Sequence, residues 1–136
     1  MPGAGPELMG DSAGLRIKRV YDPPEESDGM RVLVDRLWPR GLSKEEARLD
    51  EWMREVAPSP GLRKWFGHDP EKFAAFTLRY KAELQEEPAL PELKRLCTWA
   101  QEGPLTLLYA AKDERHNHAR VLKEAVARLL PDNGTE

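Results

Sequence analysis

The sequence lacks the features that mark membrane, secreted and disulfide-bonded proteins. Its single cysteine, Cys97, excludes an intrachain disulfide and a cysteine zinc cluster. No apolar run approaches the roughly 20 residues of a membrane-spanning helix. The first residues carry neither the basic segment nor the apolar segment of a signal peptide. These absences predict a cytoplasmic protein with no membrane partner.

Nucleotide-binding and hydrolase motifs are also missing. There is no glycine-rich dinucleotide fingerprint, no phosphate-binding P-loop and no serine nucleophile elbow. The formal net charge is −3, which disfavours general nucleic-acid binding. The sequence therefore identifies no cofactor, and it leaves open whether the protein is an enzyme.

The 136 residues predict one domain with one hydrophobic core. Residues 1–14 are rich in glycine and proline and predict a disordered tail, as do residues 132–136. Residues 15–131 form the predicted domain. Strands mixed with helices, and an apolar strand that leads into a final helix, indicate a single-domain α/β layered fold with a small, mostly parallel sheet flanked by helices.

Periodicity and capping signals place the elements along the chain. Strands are predicted at residues 15–21, 30–35 and 104–113, and a short strand or extended segment at 49–59. Two helices are predicted from their start signals: one after Ser43, which forms a capping box with Glu46, and one after Ser59-Pro60. Three more are predicted at residues 70–87, from Pro91 onward, and at residues 114–130.

Two of the predicted strands end in unusual polar clusters. Asp35, Arg36, Trp38 and Arg40 follow the strand at 30–35, and Lys112 with Asp113 follows the strand at 104–113. Ligands of open α/β sheets bind at the carboxyl ends of strands, where these clusters meet if the strands are parallel neighbours. Guanidinium groups bind phosphate or carboxylate, so Arg36, Arg40 and Lys112 predict a site for a small anionic molecule covered by Trp38. The alternative is that Arg36 is a structural ion-pair partner and Trp38 part of the core.

His118 is the candidate proton-transfer group. It lies four residues before Leu122, on the inward stripe of the last helix, and would point to the mouth of the sheet. Asp35 or Asp113 would orient it. The structural alternative is a hydrogen bond to a strand carbonyl. Asn117 is a candidate ligand contact and also a candidate helix N-cap, and His116 is predicted to face solvent.

Three further interpretations stay open. The predicted anion site could belong to a non-catalytic ligand-sensing or interaction module. A His/Asp metal-binding protein would use His68, His116 and His118 with Asp69 or Asp113, although this spacing matches no known ligand pattern, so no metal site is assigned. A nucleic-acid binder would use Lys18, Arg19 and Arg31 as a surface patch, although the near-neutral core and the lack of a recognisable reading helix disfavour this interpretation. A homodimer is also open, because Trp65, Phe66 and Trp99 exceed what one small core readily buries.

Five blocks of the sequence form a family pattern. "KRVYDP", "DGMRVLVDRLWPRG", "LRKWF", "LTLLYAAKD" and "NHARVL" resemble the YeaO-like proteins, a branch of the DUF488 domain family of unknown function. The resemblance covers about Ile17 to Leu130. It implies a small cytoplasmic α/β protein with no established activity.

The resemblance also implies a set of polar motif positions. On this chain they are Lys18, Arg19, Tyr21, Asp35, Arg36, Arg40, Arg63, Lys112, Asn117 and His118. Tyr21 joins the candidate ligand contacts on this ground, and Lys18, Arg19 and Arg63 are added by the resemblance alone. Arg63 could equally anchor the loop before it.

Overall fold

The computed structural model describes residues 14–130. The tails predicted at 1–14 and 132–136 lie outside the described residues, apart from Gly14. The elements in chain order are β1 (Leu15–Arg19), β2 (Met30–Leu33), α1 (Lys44–Ala47), β3 (Glu51–Trp52), α2 (Pro60–Phe66), α3 (Phe73–Glu83), α4 (Ala89–Glu102), β4 (Leu105–Tyr109) and α5 (His118–Leu129). The predicted α/β layered fold is confirmed.

The four strands form one parallel sheet in the order β1-β4-β2-β3. β4 is central and is buried at all five positions, as its uninterrupted apolar sequence predicts. Leu107 pairs with Ile17 on one side and Val32 on the other. The carboxyl ends of β2 and β4 therefore lie side by side, as the sequence required for a shared site.

The two faces of the sheet differ in what covers them. Helices α2 to α5 pack on one face, where Val32, Leu105 and Leu107 form a continuous core with Phe76 and Leu122. Each of these large side chains removed from water contributes about 1.5–3 kcal/mol. The other face carries a smaller apolar cluster around Val20, Leu33 and Leu108, covered by loops and the short α1.

A buried charge cluster also lies on that second face. Asp28 is completely buried and receives hydrogen bonds from Lys18 Nζ at 3.0 Å and Arg31 Nη1 at 2.6 Å. An ion pair to Arg16 at 3.4 Å completes the cluster. Burial by itself would raise the pKa of Asp28, but hydrogen bonds from the Glu25 amide, Lys18 and Arg31 hold that pKa below its usual value. Lys18 and Arg31 are therefore structural here, which removes two members of the nucleic-acid patch suggested by the sequence.

Gly29 lets the chain turn from this cluster into β2. Its φ of +64° lies in the left-handed region. The next amide, Met30 N, donates to Pro104 O at 3.0 Å, and Thr106 Oγ1 donates to Asp28 O at 2.8 Å. A loop that the sequence marks only as polar is thus fastened to the start of β4.

Element boundaries differ from the sequence predictions where side chains intercept the backbone. The helix predicted at 70–87 is a 3-10 turn at Pro70–Lys72 followed by α3, which ends at Glu83. Pro88 disfavours helical backbone at Glu87, the predicted last residue of that helix. The last helix begins at His118 instead of Glu114, because the Asp113 carboxylate accepts from the amides of Arg115 and His116 and forms a turn there. β4 ends at Tyr109, since Ala110 N donates to Asp35 Oδ2 at 3.0 Å.

No helix within residues 14–130 has the length and apolar character to cross a membrane.

Candidate functional site

A cleft of about 690 Å³ lies at the carboxyl ends of β2 and β4. We call it the strand-end cleft. It is lined by residues 35–40, 57–58, 110–113 and 116–118 with Tyr21, Arg63, Phe66, His68 and Phe76. The structure brings together in this lining all eight residues singled out from the sequence, which are Tyr21, Asp35, Arg36, Trp38, Arg40, Lys112, Asn117 and His118.

The Arg36 side chain is hydrogen-bonded to backbone carbonyl groups. Its Nε donates to Pro58 O at 2.8 Å and its Nη2 to Ala57 O at 3.3 Å. The remaining nitrogen, Nη1, lies 3.5 Å from Glu55 Oε1. The guanidinium ties the end of β2 to the segment before α2, which is the structural alternative considered for this residue.

We expect Arg36→Gln to lower the free energy of unfolding by about 1.5–3 kcal/mol, because two buried carbonyl groups lose a charged donor. Urea denaturation of the variant measures the loss. Arg40→Gln is the matched control, since Arg40 is exposed and its side chain has no partner within the described residues, and it should change stability by less than about 0.5 kcal/mol. Equal losses in the two variants would contradict the bracing role.

His118 and Asp35 are in contact below the cleft. His118 Nε2 lies 2.8 Å from Val34 O and 3.1 Å from Asp35 Oδ1. A carbonyl oxygen only accepts, so Nε2 carries a proton and donates to Val34 O. Asp35 Oδ1 is buried and has no aligned donor. His118 Nδ1 has no hydrogen-bond partner among residues 14–130, and His118 is part of the cleft lining.

Asp113 orients a different histidine. Its Oδ2 lies 2.9 Å from His116 Nδ1, and the His116 ring packs edge-on against Phe73 at 5.3 Å between centroids. Of the two carboxylates considered as partners of His118, the structure therefore brings Asp35 to it and not Asp113. His116 was predicted to face solvent; its side chain is 37% exposed, and it also lines the cleft.

Asn117 caps helix α5 with both ends of its amide. Oδ1 accepts from Arg120 N at 3.1 Å, and Nδ2 donates to Asp113 O at 2.9 Å. The residue is 2% exposed. Its side chain is thus occupied in holding the 113–117 turn, which is the N-cap role considered for it.

Trp38 and Tyr21 hold the loop that follows β2. Trp38 Nε1 donates to Leu42 O at 2.5 Å, and its ring packs edge-on against Trp52 with centroids 5.3 Å apart. The Tyr21 hydroxyl donates to Arg40 O at 2.8 Å. Both side chains line the cleft, while their polar atoms fix the position of Arg40.

Arg19 performs the same task for the loop after β4. Its Nε donates to Ala111 O at 3.0 Å and its Nη2 to Ala110 O at 2.9 Å. This residue, added from the family resemblance alone, therefore positions Lys112. It is not free for a nucleic-acid patch.

Three cations of the lining remain unpaired. Arg40, Arg63 and Lys112 are exposed at the cleft, and none of their side chains has a carboxylate or hydrogen-bond partner among residues 14–130. With Arg36, the lining carries four cationic side chains against the carboxylates of Asp35 and Asp113. The excess of positive charge belongs to side chains that are available to a ligand.

The other lining residues were harder to predict from the sequence. Phe66 and Phe76 reach the cleft from α2 and α3, and their apolar positions carry no local sign of a site. His68, considered in the sequence only as a metal ligand, reaches the cleft from the turn after α2. Arg63 was indicated as a site residue only by the family resemblance. Within the described residues, no group of three or more His, Cys, Asp or Glu side chains could hold a metal ion, so the metal-binding alternative receives no support.

Comparison with known proteins gives consistent matches. A family model described as the inactive DUF488-N3 subclade matches residues 14–135. The uncharacterized protein YeaO of Escherichia coli (strain K12) is 51% identical over 110 residues, which are 81% of this chain and 94% of that protein. The uncharacterized protein Rv3073c of Mycobacterium tuberculosis (strain ATCC 25618 / H37Rv) is 42% identical over 110 residues, 81% of this chain and 91% of that protein. No solved structure matches the chain.

Proposed function

The chain belongs to the DUF488 family as a YeaO-like member, and from that premise we propose that its strand-end cleft binds a small anion, phosphate- or carboxylate-bearing, without chemical change to it. This membership confirms the resemblance found in the sequence motifs. The observation that carries the proposal is the set of three unpaired cations, Arg40, Arg63 and Lys112, around one cleft. Guanidinium and ammonium groups in a partly enclosed site bind anions strongly, because their attraction is less screened there than in open water.

Two observations favour binding over catalysis. The matching family model describes its subclade as inactive. Among the described residues, no serine, threonine or cysteine lines the cleft. Cys97 is buried in α4, and burial raises the pKa of its thiol, which leaves it a poor nucleophile.

Neutralising the free cations should remove the binding. In a thermal-unfolding panel at fixed ionic strength, with phosphate, sulfate, nucleotides, sugar phosphates and carboxylates, a ligand at 100 times its Kd stabilises the wild type by about 2.7 kcal/mol. We expect the Arg63→Gln/Lys112→Gln variant to bind that ligand at least about 100-fold more weakly, since two charged contacts are lost.

The matched control is Lys64→Gln/Lys94→Gln, which makes the same change in net charge at two exposed helix positions outside the lining. It should bind like the wild type. Two results would count against the proposal. One is a wild type that none of the anions stabilises, and the other is a stabilisation that the Arg63→Gln/Lys112→Gln variant retains in full.

A second candidate function rests on His118. Its Nε2 donates to Val34 O beside Asp35, and its Nδ1 has no hydrogen-bond partner within residues 14–130. This arrangement suits a group that accepts or donates a proton at Nδ1. Recovering the bound anion after prolonged incubation and examining it by NMR separates the two candidates. A chemical change that is lost in His118→Gln supports proton transfer, and unchanged ligand supports binding alone.

A further inference from the structure

The polar groups of the strand-end cleft differ in whether they already have partners. Arg36 donates to Ala57 O and Pro58 O, Asn117 caps α5, and Asp35 Oδ2 accepts from Ala110 N. These groups gain little from a polar ligand because their hydrogen bonds are already made. His118 lines the cleft, and its Nδ1, which has no partner among residues 14–130, can bind water or a single substituent.

The unpaired cations and the apolar side chains lie in different parts of the cleft. Arg40, Arg63 and Lys112 are exposed and so stand at its mouth. The interior is formed by Phe66 and Phe76, which are 5% and 1% exposed and stack with their centroids 4.3 Å apart. The cleft is thus cationic outside and apolar inside.

The remaining apolar lining continues this interior to the lip. Ala57 and Pro58 are buried, Ala110 and Ala111 are half-buried, and Leu37 is 60% exposed at the edge. The cleft volume of about 690 Å³ lies within the range of about 300–1,000 Å³ typical of sites that enclose an organic molecule. An inorganic ion held by the three cations would leave the apolar interior unused.

We propose that the ligand is an amphipathic organic anion, with its phosphate or carboxylate held by Arg40, Arg63 and Lys112 and an aromatic or hydrocarbon body inserted against Phe66 and Phe76. The inference rests on the proposed anion-binding function and narrows it to one class of ligand. An aromatic body suits the interior best, since a flat ring can pack edge-on against the small part of the phenylalanine pair that reaches the cleft.

Two probes with one anionic group test this inference. Methyl phosphate and phenyl phosphate are titrated calorimetrically into the full-length wild type at one pH and ionic strength. We expect phenyl phosphate to bind about 30-fold more tightly, because burial of its ring adds a hydrophobic contribution to the same phosphate contacts. Protons of the bound phenyl ring should show NOEs to the rings of Phe66 and Phe76.

Two substitutions separate the contacts to the body from those to the anion. Leu37→Ser should reduce the ratio of the two affinities about threefold, because Leu37 covers only the lip. Arg63→Gln should weaken both probes by the same factor and leave the ratio unchanged. Leu78→Ser is the control for Leu37→Ser, since Leu78 is 72% exposed and lies outside the lining, and it should leave both affinities unchanged.

The outcomes distinguish this inference from the function on which it rests. Equal affinities for the two probes, or phenyl NOEs that avoid Phe66 and Phe76, overturn the amphipathic ligand while anion binding stands. Failure of both probes and of the wider anion panel overturns the proposed function, and the inference falls with it.

Discussion

Asp28→Asn is expected to lower the free energy of unfolding by about 3–5 kcal/mol, because it removes the buried negative charge that three neighbouring cations contact. Within residues 14–130, Lys18 and Arg31 donate to this carboxylate and Arg16 lies 3.4 Å from it. Asparagine keeps the shape and loses the charge. Urea denaturation at pH 7 measures the loss.

Asp50→Asn is the matched control. The Asp50 carboxylate accepts one hydrogen bond, from Arg31 N at 2.8 Å, and the residue is exposed. The same chemical change there should lower stability by about 1 kcal/mol. A loss in Asp28→Asn no greater than in this control would show that the cluster contributes little.

The loss in Asp28→Asn should also depend on pH. The pKa of Asp28 is lowered in the folded protein, so the unfolded chain binds the proton more tightly and the carboxylate's contribution is lost as pH falls. The contribution is complete above the unfolded pKa of about 3.9 and disappears as pH falls through the lower folded value. The stability difference between wild type and variant should therefore shrink below about pH 4, as denaturation series across that range would show.

Gly29→Ala should lower the free energy of unfolding by about 3–4 kcal/mol. A Cβ at this position would lie 2.3 Å from Pro104 O and 2.5 Å from Pro104 Cβ, and the φ of +64° is unfavourable for any side chain. Relief of the clash requires the start of β2 to move away from Pro104, which breaks the bond from Met30 N.

Gly41→Ala separates backbone strain from the clash. Gly41 has a similar φ of +77°, but a Cβ there would have no neighbour within 4 Å. Its cost should be about 1 kcal/mol, from strain alone. Similar losses at both glycines, measured by urea denaturation, would contradict the close approach of Gly29 to Pro104.

The fold was predictable from the sequence where local signals act alone. The apolar run of β4 predicts a central strand, and the capping box of Ser43 with Glu46 is formed as expected. The start of α5 was not predictable, because the Asp113 side chain accepts hydrogen bonds from two backbone amides that the periodicity assigns to the helix. Asp28 stands in a segment with every local mark of an exposed loop, and its burial depends on cations from two strands.

The membership of the candidate site was predictable in part, but its division of tasks was not. The strand ends of β2 and β4 identified Arg36, Lys112 and His118 because a parallel sheet brings such ends together. The sequence could not show that Arg36 donates to carbonyls 21 and 22 residues later, while the Arg63 side chain has no partner in the described part of the chain. Whether each arginine is bound or available depends on the path of the segment before α2, which no local sequence pattern predicts.

The strand order has a consequence for biosynthesis. β4, the partner of both β1 and β2, is the last strand of the described chain to leave the ribosome. Until it emerges, β1 has no neighbour in the sheet, and β2 can pair only with the two residues of β3. The strands β1 and β2 must therefore wait without their shared partner, exposed to chaperones and to aggregation, and the cleft forms only after β4 and the start of α5 have been synthesised.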